Sequence, residues 1–488
     1  MSLKFGTSGL RGLAIDLEGP AAALYATAFA HMLLSTGQAN PGDTVLIARD
    51  FRASSPAISA IAAGALLRAG LSVLDCGTVP TPALALYALT TRSAALMVTG
   101  SHIPADRNGI KFYRPDGEIA KDDELAITEA ADRLRASAGA VNATPAEVPD
   151  IEAAVRDLFV ARNMALLPDR ALAGLKVGVY QHSTVARDLF VDVLTRYGAD
   201  VVPLGRSDSF IPVDTEAVSP ETVVALRGWA SEHGLDAIVS ADGDGDRPLL
   251  SNERGEPIRG DLLGLIAAEF LGATIAVTPV TSNSGLERRG TVEILRTRVG
   301  SPFVIAGMQD AVMSGHACVV GFEANGGTLT ASDVTVNGTR LAALPTRDCF
   351  LPVLAALFQA AERRVALSAV VAGYDLPIAL SDRLERFPVE TSEALMTHLR
   401  RGPAELAAFL APVGTPALVS DIDGLRITLQ DGAILHLRPS GNAPEMRCYV
   451  EAATETKAKA LLADGLALIR AFAHQRAETC SSATSAAE

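Results

Sequence analysis

A series of apolar, strand-like runs recurs three times along the chain, and it leaves few folds open. TVLIARD (44–50), LSVLDCG (71–77) and ALMVTGSH (95–102) are separated by Ala-rich helical stretches. The same order returns as LKVGVYQHS (175–183), ADVVPLG (199–205) and DAIVSADGD (236–244). It returns again as ATIAVTPV (273–280), FVIAG (303–307) and ACVVGFEANGG (317–327). Strands alternating with helices at this spacing predict βαβ units and parallel or mixed sheets. A chain of 488 residues is also too long for one hydrophobic core. We therefore expect an α/β protein with three similar mixed-sheet domains, spanning 1–150, 151–257 and 258–366.

The remaining chain reads differently. LRITLQ and AILHLR alternate around Asp431-Gly432, which predicts an antiparallel hairpin, and MRCYVEA adds a strand before an amphipathic helix. This is a smaller α+β domain over 367–475, and the small, polar residues of 476–488 are expected to be a disordered tail.

In each of the three series the third strand ends in a polar loop: TGSHIPADRNG, SADGDGDRP and GFEANGG. Open α/β sheets bind ligands beyond the carboxyl ends of their strands. Three such ends facing one another predict a single central cleft.

Bulk properties narrow what that cleft serves. A formal net charge of -14 argues against a non-specific nucleic-acid binder, though local arginines and helix N-termini can still collect an anion. MSLKFGTSGLRG has no apolar core of a secretory signal, and no run is long enough to span a membrane. The five cysteines are scattered without CxxC spacing, which speaks against a disulfide framework or a zinc site. The expectation is a cytoplasmic protein without membrane or nucleic-acid partners.

The loops carry the chemistry. Ser101 follows an apolar strand with His102, Arg107 and Lys111 nearby, but a serine is a weak nucleophile without activation, and Ser-His alone is also an ordinary turn. Asp242, Asp244 and Asp246, followed by Arg247, are more specific: alternate carboxylates offer hard oxygen ligands to one side. Glu253 falls where an EF-hand would place its last ligand, yet the loop follows a strand and has Arg247 where that hand needs glycine. An open triad suits Mg²⁺, and a plain acidic turn is the alternative. Glu323 and Asn325 sit among glycines and can hydrogen-bond vicinal sugar hydroxyls, with a plain glycine turn as the alternative. RPSGNAPEMR brings Arg438, Ser440, Gly441, Asn442 and Arg447 around a turn, the makings of a phosphate cradle. FGTSGLRG, with Arg11, is neither a Walker A loop nor a dinucleotide fingerprint.

Taken in order, these motifs resemble the α-D-phosphohexomutase family from Phe5 to about Phe472. TGSHIPADRNGIK is similar to that family's phosphoserine loop, DGDGDR to its metal loop, GFEANGG to its sugar loop and RPSGNAPEMR to its phosphate loop. The resemblance implies four domains around a central active-site cleft, a phosphorylated Ser101, and one Mg²⁺ held by Ser101, Asp242, Asp244 and Asp246. It implies His102 and Lys111 as acid–base groups, Arg11 and Arg247 steadying the phosphoserine, and Glu323 with Asn325 on sugar hydroxyls. Arg438, Ser440, Gly441, Asn442 and Arg447 would hold the phosphate that is not reacting. A hexose 1,6-bisphosphate is then both intermediate and activator, a hexose phosphate the substrate, and the protein a monomer or homodimer. Within the family the motifs look most like those of bacterial phosphomannomutases, so mannose 6-phosphate and mannose 1-phosphate are the expected pair. Glucose or glucosamine phosphate is the alternative, and a sugar-phosphate or cation-binding protein without turnover is the non-enzymatic one. The chain departs from the family pattern at Ile103, Asn325, Gly327 and Asn442-Ala443, places Ser301 near the usual third-domain His, and has no clear counterpart of a lysine near Asn283.

Overall fold

Each of the three strand series builds its own sheet. A computed structural model of the chain describes residues 3–5, 9–137, 141–440 and 444–485. In the first series Thr44–Arg49 lies between Ser72–Asp75 and Ala94–Val98, parallel to both. In the second, Lys176–His182 lies parallel to Asp200–Arg206 and Ala237–Ala241. In the third, Ile275–Pro279 runs parallel to Val319–Phe322. Every residue of Ala94–Val98, Ala237–Ala241 and Val319–Phe322 is buried, as strands covered on both faces should be.

In each series the third strand leads into a return strand rather than a helix. Ala94–Val98 doubles back as Arg107–Arg114, Ala237–Ala241 as Pro248–Asn252, and Val319–Phe322 as Thr328–Thr330, each antiparallel. The polar loops are therefore the tips of hairpins, clamped at both ends by ladder hydrogen bonds. This is why the sheets are mixed. Leu10–Leu13 then pairs antiparallel with Arg107–Arg114, which brings Arg11 opposite Gly109.

One expected strand is a helix. FVIAG lies inside the helix Ser301–Met313, and the edge strand of that series is Glu293–Thr297, EILRT, just before it. Pro302 sits in the first turn, where a missing N–H costs nothing. Val304, Met308 and Ala311 are buried positions, spaced for a helix rather than a strand. A short apolar run does not distinguish the two; its continuation to Met313 does.

The chain divides into two compact units. The first holds Met1–Thr278, Thr291–Leu295 and Gly300–Tyr374; the second holds Pro279–Gly290, Arg296–Val299 and Asp375–Glu488. The second unit has an all-antiparallel sheet in the order Ile378–Leu384, Met446–Ala452, Ile434–Pro439, Leu425–Leu429, Pro416–Ser420. The hairpin at Asp431-Gly432 is present, with Thr428 opposite Ile434 and Gly432 at φ 81°. Helices Val389–Leu399, Pro403–Leu410 and Glu455–Ser485 supply Leu395, Leu410 and Ile469 to the core on the sheet. The last helix runs to Ser485, well beyond the end expected at 475. Among the described residues no helix is long and apolar enough to cross a membrane.

Candidate active site

The three hairpin tips of the first unit meet. Ser101 is 1% exposed and its hydroxyl donates to Asp242 Oδ2 at 2.5 Å. Its φ is +54°, a left-handed conformation that a serine adopts at a cost of about 1 kcal/mol or more, so the surroundings must impose it. Thr99 Oγ1 accepts from the Ser101 N–H at 2.8 Å, and Arg52 donates to the Ser101 carbonyl at 2.9 Å.

Asp242, Asp244 and Asp246 each offer a carboxylate oxygen within 4.8 Å of the others, and all three are buried. Gly245 at φ 66° turns the loop, and Asp242 Oδ1 accepts the N–H groups of Asp246 and Arg247 at 3.2 Å. Burial, then the charges of Asp244 and Asp246, push Asp242 well above the usual carboxylate range. Burial acts the same way on Asp246, but Arg347, Lys111 and Arg247 outweigh it and hold that carboxyl ionised. Asp244 Oδ1 and Asp246 Oδ1 are buried and accept no hydrogen bond from the described residues. Two orphaned oxygens in a buried triad are what a hard divalent cation would satisfy, so the donor set fits one.

Lys111 comes from the return strand Arg107–Arg114 and donates at 2.6 Å to both Asp244 Oδ2 and Asp246 Oδ2. Burial would lower its pKa, yet the two carboxylates raise it on balance, so the ammonium is kept charged. Arg247 NH1 lies 2.8 Å from His102 Nδ1, while Ser101 Oγ is 3.3 Å from the same nitrogen. Burial and then Arg247 depress His102 to about 3, so its imidazole is neutral and Nδ1 accepts. Arg11 is lowered to about 10 by burial and by Arg247, which leaves it a cation at neutral pH. Ser101 therefore sits on a buried carboxylate cluster that Lys111 pairs and beside a histidine that Arg247 contacts, where charge is felt strongly.

Sequence reasoning missed the link to the third loop. Arg347, on the strand Leu344–Asp348, donates through Nε and NH2 to Asp246 Oδ2 at 3.0 and 2.8 Å, and through NH1 to Glu323 Oε1 at 3.0 Å. It thus joins the carboxylate loop to the Glu323 loop. Its neighbour across the loop explains a departure from the family pattern. A β carbon on Gly327 would lie 2.5–2.8 Å from Arg347 Cβ, Cγ and Cδ, so any side chain there, histidine included, collides with Arg347. Glycine at 327 and arginine at 347 go together. Asn325 Oδ1 is turned inward and accepts the Gly327 N–H at 3.0 Å, so it shapes the loop as well as lining it. Ser301, near the position where the family usually has histidine, donates to Glu118 at 3.0 Å.

Thr81 was also not anticipated. Its hydroxyl donates to Asp244 Oδ2 at 2.6 Å and its N–H to the Asp244 carbonyl at 2.9 Å, so the start of the helix Thr81–Thr91 orients a triad carboxylate. Nothing in TPALALYALT signals that role.

The candidate phosphate residues lie in the second unit. Arg438 and Arg447 are directly opposite on adjacent antiparallel strands and so share a face. Side-by-side guanidinium groups repel unless anions accompany them. Asp423 lies 3.0 Å from Arg438 and Glu445 lies 3.4 Å from Arg447. The Ser440 N–H donates to the Glu445 carbonyl at 2.9 Å and closes the loop base. Gly441 and Asn442 lie outside the described residues.

Comparison with known proteins agrees with this geometry. Residues 2–137, 259–375 and 386–469 match the family models for phosphoglucomutase/phosphomannomutase α/β/α domain I, α/β/α domain III and the C-terminal domain. A phosphomannomutase of Sinorhizobium fredii is 55% identical, covering 96% of this chain and 99% of the relative. A phosphomannomutase of Salmonella muenchen is 41% identical over 93% of each chain. Among solved structures, a phosphoglucomutase/phosphomannomutase family protein from Burkholderia thailandensis shares the fold at a TM-score of 0.72 and 23% identity, covering 96% of this chain and 97% of that one. Matched at both ends by the domain models and along almost its whole length by these relatives, the chain belongs to the phosphoglucomutase/phosphomannomutase family.

Proposed function

We propose that the protein is a phosphomannomutase that interconverts mannose 6-phosphate and mannose 1-phosphate through a phosphorylated Ser101. The observation that carries the reading is the 2.5 Å contact between Ser101 Oγ and a buried three-carboxylate cluster. The 55% identity to a phosphomannomutase supports mannose as the sugar.

The phosphoryl group passes from Ser101 Oγ to the free hydroxyl of the hexose phosphate: the P–Oγ bond breaks, a P–O bond to the sugar forms, and the hydroxyl proton passes to one of the acid–base groups, His102 or Lys111. The resulting 1,6-bisphosphate reorients, and its other phosphoryl returns to Ser101 as a proton goes back to the sugar oxygen. Charge neutralisation and alignment do most of the work in such transfers. Arg11 and Arg247 neutralise the serine phosphate, and Lys111 and His102 serve as the acid–base groups. Ser101, Asp242, Asp244 and Asp246 would hold Mg²⁺, which supplies Lewis-acid stabilisation of the transferring oxygens. Glu323 and Asn325 address sugar hydroxyls, and Arg438, Ser440, Gly441, Asn442 and Arg447 bind the phosphate that is not reacting. The in-register pair Arg438 and Arg447 supports that last assignment. The sheets support domains at 1–150, 151–257, 258–366 and 367–475. Hexose 1,6-bisphosphate is the proposed activator, since it rephosphorylates Ser101.

Intact-mass measurement of the purified protein tests the reading. One phosphoryl on Ser101 should be present and should leave on addition of mannose phosphate. Full turnover by Ser101→Ala with mannose, glucose and glucosamine phosphates, each primed with its bisphosphate, would sink it.

A further inference from the structure

A fourth loop, 207–217, has no part in the chemistry above, yet it contacts two of the hairpin tips and the arginine that holds the third. It leaves the strand Asp200–Arg206 and is tied down at once: the Ser207 N–H donates to the His182 carbonyl at 3.1 Å, and the Ile211 N–H to Ser183 Oγ at 2.7 Å. From that root Phe210 reaches under the Arg52 guanidinium, whose Cζ lies 3.9 Å from the ring centroid. A β carbon on Gly243 would be 2.9 Å from Phe210 Cε2 and Cζ and 2.8 Å from the Ser101 carbonyl, so the ring sits directly against the metal loop beside the serine. Further along, Thr215 Oγ1 donates to the Asn325 carbonyl at 3.1 Å and so reaches the sugar loop.

Arg52 is the other half of the device. It is 1% exposed, and it donates to the carbonyls of Pro104, Arg107, Ser101 and Ile103 at 2.7, 2.9, 2.9 and 2.6 Å. One guanidinium thus gathers the carbonyls of the loop that carries Ser101, while Asp50 Oδ2 accepts from its Nε at 3.2 Å. The residue before it makes the mirror-image contact. Arg187 stands over the Phe51 ring at 4.2 Å, and Arg187 also donates to the carbonyls of His182 and Ser207, the root of the fourth loop. Adjacent residues of the first series, an aromatic and a cation, therefore each pair with the opposite kind on the second.

We propose that Phe51–Arg52 and Arg187–Phe210 form a crossed pair of cation–π contacts that fixes the serine loop against the carboxylate loop, with Phe210 as a positioning residue for phosphoryl transfer. Phe210 acts through Arg52 and touches no reacting atom. This rests on the assignment of Ser101 as the phosphoryl carrier. Phe210 has a reason to be aromatic, because a leucine would fill the space but give Arg52 no π face.

The test uses the full chain and compares Phe210→Leu, Phe210→Tyr, Arg52→Lys and Ser101→Ala. Each is assayed for kcat and KM with mannose 1-phosphate and for loss of the Ser101 phosphoryl in buffer without sugar, tracked by intact mass. A desolvated cation–π contact should set kcat of Phe210→Leu roughly fivefold to thirtyfold below the parent, with KM within about twofold. The Ser101 phosphoryl should be lost faster, and Phe210→Tyr should restore both readouts. Arg52→Lys, which keeps the charge but not the fork to four carbonyls, should show the same defect and serves if Phe210→Leu does not fold. The proposal is overturned if Phe210→Leu folds and keeps parental kcat and phosphoryl lifetime, whatever Arg52→Lys does. It is equally overturned if Phe210→Tyr is as impaired as Phe210→Leu, since that would be packing alone. Turnover by Ser101→Ala would instead refute the carrier assignment, leaving the two failures distinct.

Discussion

Replacing Arg347 by methionine removes a buried cation while keeping much of its volume, and the structure says which partners suffer. Asp246 Oδ2 loses its bonds to Arg347 Nε and NH2 at 3.0 and 2.8 Å but keeps Lys111 at 2.6 Å. Glu323 Oε1 loses its 3.0 Å bond to NH1, and Glu323 is only 5% exposed, so it stays out of water with less compensation. Breaking a buried pair by deleting one partner typically costs 3–5 kcal/mol; the surviving Lys111 contact puts the expectation at the low end, about 3 kcal/mol. Equilibrium urea unfolding of the parent and of Arg347→Met measures this directly. The double variant Glu323→Gln/Arg347→Met should recover at least about 1 kcal/mol of that loss, because Glu323 no longer leaves a carboxylate short of its partner. The divalent cation adds a second readout: with one guanidinium gone from Asp246, Mg²⁺ should raise the unfolding midpoint of Arg347→Met more than that of the parent. Equal stability of parent and Arg347→Met, or simple additivity in the double variant, would show that Arg347 does not couple these carboxylates.

Single contacts elsewhere carry their own expectations. Thr81→Ala leaves Asp244 without its 2.6 Å hydroxyl partner and should weaken Mg²⁺ binding roughly tenfold, read by calorimetry, whereas Thr81→Ser should not. Gly327→His forces a side chain into Arg347 and should destabilise the protein about as much as Arg347→Met, with the double variant little worse than either single one in the same urea titration. His182 and His436 are buried, and burial lowers both to about 4, against about 6.5 in the unfolded chain. The unfolded state then binds protons that the folded state refuses, so stability present above pH 6.5 is lost as pH falls toward 4, by up to about 3 kcal/mol per histidine. His436→Gln should flatten the fall in urea midpoint between pH 7 and pH 5; an unchanged slope would show that His436 is not buried neutral.

The recurring strands were legible because each is a short apolar run bounded by polar residues, and the loops between them because Asp-x-Asp-x-Asp and Ser-His stand out against an apolar background. FVIAG misled because five apolar residues carry no period; only the longer spacing of Val304, Met308 and Ala311 reveals a helix. Arg347 and Thr81 were illegible for a different cause. Each lies far along the chain from the carboxylate it serves, and a lone arginine in LPTRD or a threonine before proline has many ordinary explanations. Asp50 and Arg52 left a fainter trace, since DFRASS puts an ion pair immediately after a buried strand, where charge is costly unless it has work to do.

The second unit is assembled from pieces that the ribosome delivers at very different times. The Ser284 N–H donates to Glu451 Oε2 at 3.0 Å across 167 residues, and Asn283 donates to the Pro377 carbonyl at 2.8 Å across 94. Residues 279–290 therefore emerge early and meet their C-terminal partners only when the last strands are made. Contacts of such long range close slowly, after the chain between them has been made. A truncated chain that begins near Asp375 would carry the whole sheet and keep Arg426 beside Glu451, yet lack the Ser284 donors to that carboxylate, so the last module is complete only in the company of residues translated long before it.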